Sequence, residues 1–272
     1  MTKNIVFFVA AFVISGSSSI IYADIAPTRY KGWTLSPRFE ASVRMTSEVV
    51  DIYWGNVCKV KAVFNLVNYS DSVIPLKIGF PVNLTYLKTR RSIQQDSINK
   101  IYDFIFILND DSLTETDIPD SKIDHSEEQW YGWDCTIQPG PNVIHLSYSV
   151  KTSPTYAYVW QRNLYYVLHT GKFWQGKIDS AVVTVHFPQK IKIDQILSET
   201  TPLGFETRDN SIVWQFKSFE PTDNHNIHLQ IISFDIYQKM LEFRTALSNQ
   251  PVKTKTKLDA AIFYASLTFA KG

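Results

Sequence analysis

The chain has 272 residues, with 27 Lys and Arg against 26 Asp and Glu, a formal net charge of +1. That balance excludes a protein that holds nucleic acid through many phosphate contacts, and one drawn to an anionic membrane surface by charge. Aromatic residues make up 14% of the chain, with 14 Tyr and 17 Phe, a composition suited to pleated, half-buried strands.

The first 23 residues form a distinct segment. Lys3 and Asn4 lead into an apolar run from Ile5 to Ile14, a Ser/Gly stretch follows, and Ile21-Tyr22-Ala23 precedes Asp24. A basic start, a hydrophobic middle and a small residue at the cleavage point predict a secretory signal peptide over residues 1–23. The apolar run is too short to cross a hydrocarbon core, which needs about 20 residues. No cysteine follows it, which argues against lipidation. The expected mature protein is periplasmic or secreted, with no transmembrane span after cleavage.

Residues 24–38, with Pro27 and Pro37, read as an irregular lead-in. A strand pattern runs from Phe39 to Trp54, and Gly55-Asn56 reads as a hairpin turn. In the next strand Cys58, Val60, Ala62, Phe64 and Leu66 share one face, while Lys59, Lys61 and Asn65 lie on the other. A tight turn would set Asp51 opposite Val60 on the core face, a conflict that a longer loop or a bulge would relieve.

Ile74 to Val82 and Tyr102 to Leu108 are further strands, separated by a polar stretch at 88–100. Asn109 to Glu128 is acidic and predicted to be an exposed loop. Trp130 to Ile137 and Val143 to Val150 are strands around the turn Pro139-Gly140-Pro141-Asn142. A soft boundary falls at Lys151 to Pro154. Beyond it, Tyr156 to His169 is aromatic and extended, and Ala181 to Phe187, Ser211 to Phe219 and Ile227 to Phe234 read as strands. Ile236 to Ala246 and Leu258 to Ala270 have helical composition.

The expected fold is mainly β: two antiparallel β-sandwich-like units with short C-terminal helices. The expected division is a signal peptide at 1–23, a β-sandwich domain at 24–150, a second β-rich domain at 151–235 and a helical tail at 236–272. Cys58 and Cys135 are the two cysteines. In an exported chain an even pair favours a disulfide, with two separate buried thiols as the alternative.

The run VCKVKAVFNLVNYSDSVIPLKIGFP, within Val49 to Pro81, resembles the opening of vault/inter-alpha-trypsin-type β-sandwich domains. Trp130-Tyr131-Gly132-Trp133, Tyr166 to Gly171, Trp174-Gln175-Gly176 and Trp214-Gln215-Phe216 are similar to an uncharacterised family of bacterial exported proteins, a domain of unknown function. The resemblance covers most of residues 24–235. It implies a periplasmic or secreted sandwich protein and carries no catalytic residues to transfer.

No coherent catalytic, cofactor or metal set is readable, and no cofactor is expected. His225 and His228 are three apart, which along a strand places side chains on opposite faces. The acidic residues Asp110, Asp111, Asp117 and Asp120 lack the spacing and turn glycine of a calcium loop. Asp124-His125-Ser126 has the letters of a triad, but triads are assembled in space. Glu127-Glu128 reads as a solvated pair.

The aromatic residues Trp130, Trp133, Tyr158, Trp160 and Trp174 are candidate binding groups, since exposed rings stack on sugars or anchor a protein partner. Burial in the core is the competing role. The sequence thus points to an exported, non-catalytic envelope protein that binds a protein or a ligand. The alternative is a glycan-acting hydrolase or a carbohydrate-binding protein of the envelope.

Overall fold

A computed structural model describes residues 19–20, 25–31, 34–83, 101–113, 129–151, 160–248 and 253–269. In chain order the strands are β1 (Ser19–Ile20), β2 (Ala26–Lys31), β3 (Thr34–Pro37), β4 (Val43–Tyr53), β5 (Val57–Asn68), β6 (Ile74–Asn83), β7 (Ile101–Leu108) and β8 (Asp111–Leu113). They continue as β9 (Gln129–Ile137), β10 (Gly140–Lys151), β11 (Gln161–Tyr166), β12 (Ile178–His186), β13 (Glu206–Arg208), β14 (Ser211–Phe219) and β15 (Ile227–Ile232). Two helices end the chain, α1 (Phe234–Ser248) and α2 (Thr254–Phe269). The mainly β fold with short C-terminal helices matches the sequence expectation. The lead-in does not: Pro27 and Pro37 sit within a β2–β3 hairpin, where Thr28 pairs with Pro37.

Among the described residues the strands form three sheets. The largest has the order β13-β14-β12-β4-β5-β10-β7-β8, the second β3-β2-β6-β9 and the third β1-β11-β15. The two smaller sheets lie against one face of the large one. Trp133 on β9 stacks on Phe106 of β7, with ring centroids 4.5 Å apart, and Phe80 on β6 meets the edge of Tyr148 on β10 at 5.0 Å. The third sheet joins the same interior through Tyr166 on β11, which bonds Glu48 on β4. One continuous apolar cluster includes Phe64, Trp133, Tyr166, Val183 and Trp214.

That continuity bears on the expected boundary near residue 151. β12 lies beyond it, yet pairs with β4 in parallel, from Ser180 opposite Ser47 to His186 opposite Tyr53. Residues on both sides of the boundary therefore share one sheet and one core.

The β4–β5 register resolves the conflict at Asp51. The connecting loop is longer than two residues, with Tyr53 opposite Lys59, so Val60 faces Ile52 and Asp51 faces Lys61. A bulge between Met45 and Ser47 then shifts the phase of β4. Val43 and Met45 point inward before it, and Glu48, Val50 and Ile52 point inward after it. Because side chains alternate with period two, one extra residue is what turns Glu48 into the core.

Candidate partner-binding face

The large sheet buries one face and leaves much of the other open. Outward positions on adjacent strands form cross-strand rows. Val182, Val49, Val63, His145 and Ile107 are successive partners in one row, and Thr184, Asp51, Lys61, Ser147 and Ile105 in the next. Val49 is 42% exposed, Tyr53 44% and Ile105 53%. His186 Nε2 lies 2.6 Å from Asp51 Oδ1, and the His186 ring stacks on Tyr53 with centroids 4.8 Å apart and planes 15° from parallel. Lys59 and Lys61 stand exposed beside this group. The face thus combines apolar area, one stacked aromatic pair and fixed charges of both signs.

The described candidate aromatics lie elsewhere. Trp130, Trp133 and Trp174 are almost wholly buried, which corrects their reading as binding groups. Trp174 donates from Nε1 to the Ile25 carbonyl at 2.9 Å, which ties its ring to the residue before β2. Burial of large flat rings between sheets removes more apolar area from water than a surface site would, which is why the core takes them. Trp160 is half-buried, and its carbonyl accepts from the Ser233 amide at 2.7 Å. Tyr158 lies outside the described residues, as do Asp117, Asp120, Asp124, His125, Ser126, Glu127 and Glu128.

The expected Cys58–Cys135 disulfide is also corrected: both are buried free thiols. The Asn68 side chain donates to Ile137 O at 3.3 Å, which ties the end of β5 to the end of β9. Cys135 is two residues from that point, but Cys58 is ten residues back along β5. At about 3.3 Å per residue this puts the sulfurs more than about 20 Å apart, far beyond bridging range. Burial pushes the Cys58 thiol up to about 11 and the Cys135 thiol up to about 12.

Two interior polar clusters were hidden from the sequence reading. Glu48 is fully buried, and its Oε1 accepts a 2.7 Å hydrogen bond from the Tyr166 hydroxyl, while Oε2 has no partner. Burial pushes this carboxyl up to about 8, against the opposing pull of the Tyr166 bond. The nearby Tyr148 hydroxyl is buried without a partner, and burial raises it well above its ordinary value. The only available signal was the β4 alternation, which the bulge interrupts.

The second cluster centres on Asn226. Its Oδ1 accepts from the amides of Leu168 at 2.8 Å and His169 at 3.0 Å, and its Nδ2 donates to the Tyr165 hydroxyl at 3.2 Å. Burial lowers the His169 imidazole below its usual value, with exposed Asp223, 3.4 Å away, opposing the shift. His225 and His228 do not converge. His225 lies in a short 3-10 turn that it caps with Thr222, whereas His228 sits on β15 beside Gln230. Among the described residues no three His, Cys, Asp or Glu side chains are grouped to hold a metal ion. No described helix is long and apolar enough to cross a membrane.

No family model matches the chain, and no curated protein matches it. Among solved structures, the chain is similar to a Legionella pneumophila protein described only provisionally as a nutrient binding protein. The two share 21% identity at a TM-score of 0.58, over 87% of this chain and 77% of that one. The shared feature is the fold. An M1 zinc metallopeptidase from Deinococcus radiodurans overlaps at 10% identity and a TM-score of 0.37, over 72% of this chain and 43% of that enzyme. The chain spans less than half of that enzyme's length, and this overlap assigns it no zinc site.

Proposed function

We propose that the chain is an exported, non-catalytic module of the cell envelope that binds a protein partner on the outer face of its large sheet. The observation that carries this reading is the open face itself. Val49, Tyr53 and Ile105 are exposed on a rigid sheet beside the Asp51–His186 pair and the lysines of β5. Aromatic and apolar anchors with charge around them are the ingredients of a specific, reversible interface. The segment at residues 1–23 supports export. The binding role named for the Legionella protein is of the same broad kind.

The glycan-acting alternative drew on exposed aromatics beside paired carboxylates. With Trp130, Trp133 and Trp174 in the core, those rings are not presented to a sugar. Two experiments test the proposal. Fractionation and intact mass are expected to find residues 24–272 outside the cytoplasm. A photo-cross-linking residue at Val49 is expected to capture one envelope protein, with capture lost in Tyr53→Asp. Cytoplasmic retention would defeat the export reading, and capture unaffected by Tyr53→Asp would defeat the face.

A further inference from the structure

Two cations on the outer face of the large sheet have no anion beside them. Lys59 and Lys61 are two residues apart on β5, so both project from the same face, with Cα atoms about 7 Å apart. Both are exposed. Neither joins an ion pair among the described residues.

The register explains this. On β4, Asp51 stands opposite Lys61 and Tyr53 opposite Lys59. Asp51 engages β12 instead, with Oδ1 2.6 Å from His186 Nε2, and Tyr53 stacks on the same imidazole. One histidine thus takes both of the β4 neighbours that the lysines face. On β10 the opposite residues are Ser147 and Ser149, which carry no charge. Asp103, exposed at the β7 bulge beyond Ser149, pairs with neither lysine. His145, exposed between Val63 and Ile107, adds a third basic group to the face. The whole chain carries a net charge of only +1, so this is a local excess of positive charge. Apolar side chains bracket it. Val57, 37% exposed, comes two residues before Lys59, and Val63, two residues after Lys61, stands beside Val49.

We propose that the partner held on this face is a protein whose contact surface presents two Asp or Glu carboxylates, about 7 Å apart, to Lys59 and Lys61. Apolar side chains of the partner lie to either side, against Val57 and Val63. The inference rests on the reading of this face as the partner-binding surface and names the chemistry it selects. A nucleic acid needs many cations to release its counterions, whereas two lysines between valines match a few fixed carboxylates. A basic partner would be repelled, so the lysine pair sets partner choice and the rate of encounter more than raw affinity.

The test uses the full-length protein with the photo-cross-linking residue at Val49, together with the envelope protein it captures. Carbodiimide is then applied to the complex. It joins a carboxylate to a lysine amine in contact with it as an amide, and takes up the released water as a urea. Peptide mapping is expected to find Lys59 or Lys61 joined to an Asp or Glu of the partner. Lys59→Gln with Lys61→Gln is expected to weaken binding about tenfold at low salt. The gap is expected to close at about 1 M salt, where the screening length is about 3 Å, and Lys59→Arg with Lys61→Arg is expected to bind as the parent does. Both sites are exposed, and an unchanged urea midpoint shows that the variants remain folded. A Val49-captured complex without those amide bonds, or one indifferent to the glutamine changes, would overturn the acidic partner and leave the face standing. Capture of a nucleic acid or glycan in place of a protein would overturn the acidic partner as well. No capture at Val49 would overturn the face and this inference together.

Discussion

The Tyr166 hydroxyl donates to Oε1 of Glu48 across the interior at 2.7 Å, joining strands whose residues are 118 apart in sequence. It places an acid in the core with one oxygen satisfied and one not. An interior carboxyl held this way is a specific cross-sheet contact and a source of pH dependence.

That dependence has a defined sign. Burial raises the folded carboxyl to about 8 from an ordinary value of 4.5. Between those values the unfolded chain releases a proton that the folded chain keeps. Stability from this group is therefore full below about pH 4.5 and is lost as pH rises through about 8. Glu48→Gln, which keeps an acceptor for Tyr166, is expected to flatten the urea stability profile between pH 5 and 8. The gain over the parent at pH 8 is expected to be on the order of a few kcal/mol. An unchanged slope would show that other groups set the profile.

The two cysteines behave as separate, protonated, shielded thiols. With values near 11 and 12, neither supplies much thiolate at pH 8. A thiol reagent is expected to label the native protein slowly and to count two free thiols after denaturation. A reducing agent is expected to leave the melting temperature unchanged. A mass gain on alkylation that requires prior reduction would contradict the structure.

Asn226 ties the β11 exit to β15. Asn226→Ala would leave the Leu168 and His169 amides without their side-chain acceptor. Stranded buried donors of this kind cost roughly 2–4 kcal/mol together, read from the urea midpoint. Asn226→Asp retains the acceptor oxygen and is expected to lose less.

Gly79 is fixed by close approach. A Cβ there would lie 2.4 Å from Thr28 Cγ2 and 3.0 Å from Trp130 Cε3. Gly79→Ala is expected to destabilise the β2–β6 contact by about 1–3 kcal/mol. Thr28→Ser removes the nearest methyl, so the double variant is expected to recover part of the loss in a thermal melt.

Sequence legibility followed the range of the forces involved. The β5 alternation was readable because period-two burial is written in consecutive residues, and Cys58, Val60, Ala62, Phe64 and Leu66 all face inward. The C-terminal helices were readable from composition, to within a few residues at their ends. The Asp51 conflict was visible, although its resolution depended on the length of the loop. The hairpin over Pro27 and Pro37 was missed because Pro signals a break locally, while Pro37 lies on the edge strand β3 and Pro27 stands at the start of β2.

The sequence by itself determined the class of fold, the main strands and the segment expected to direct export, since each depends on local pattern or composition. Only the tertiary structure decided that Cys58 and Cys135 stay apart, that Trp130, Trp133 and Trp174 fill the core, and that Glu48 turns inward. It also set Val49, Tyr53 and Ile105 on the exposed face of the large sheet. These outcomes depend on which strands become neighbours and in what register, a global choice made by burying the most apolar surface. Alternation within a strand assigns a side chain to a face, but the partner strand decides what that face meets.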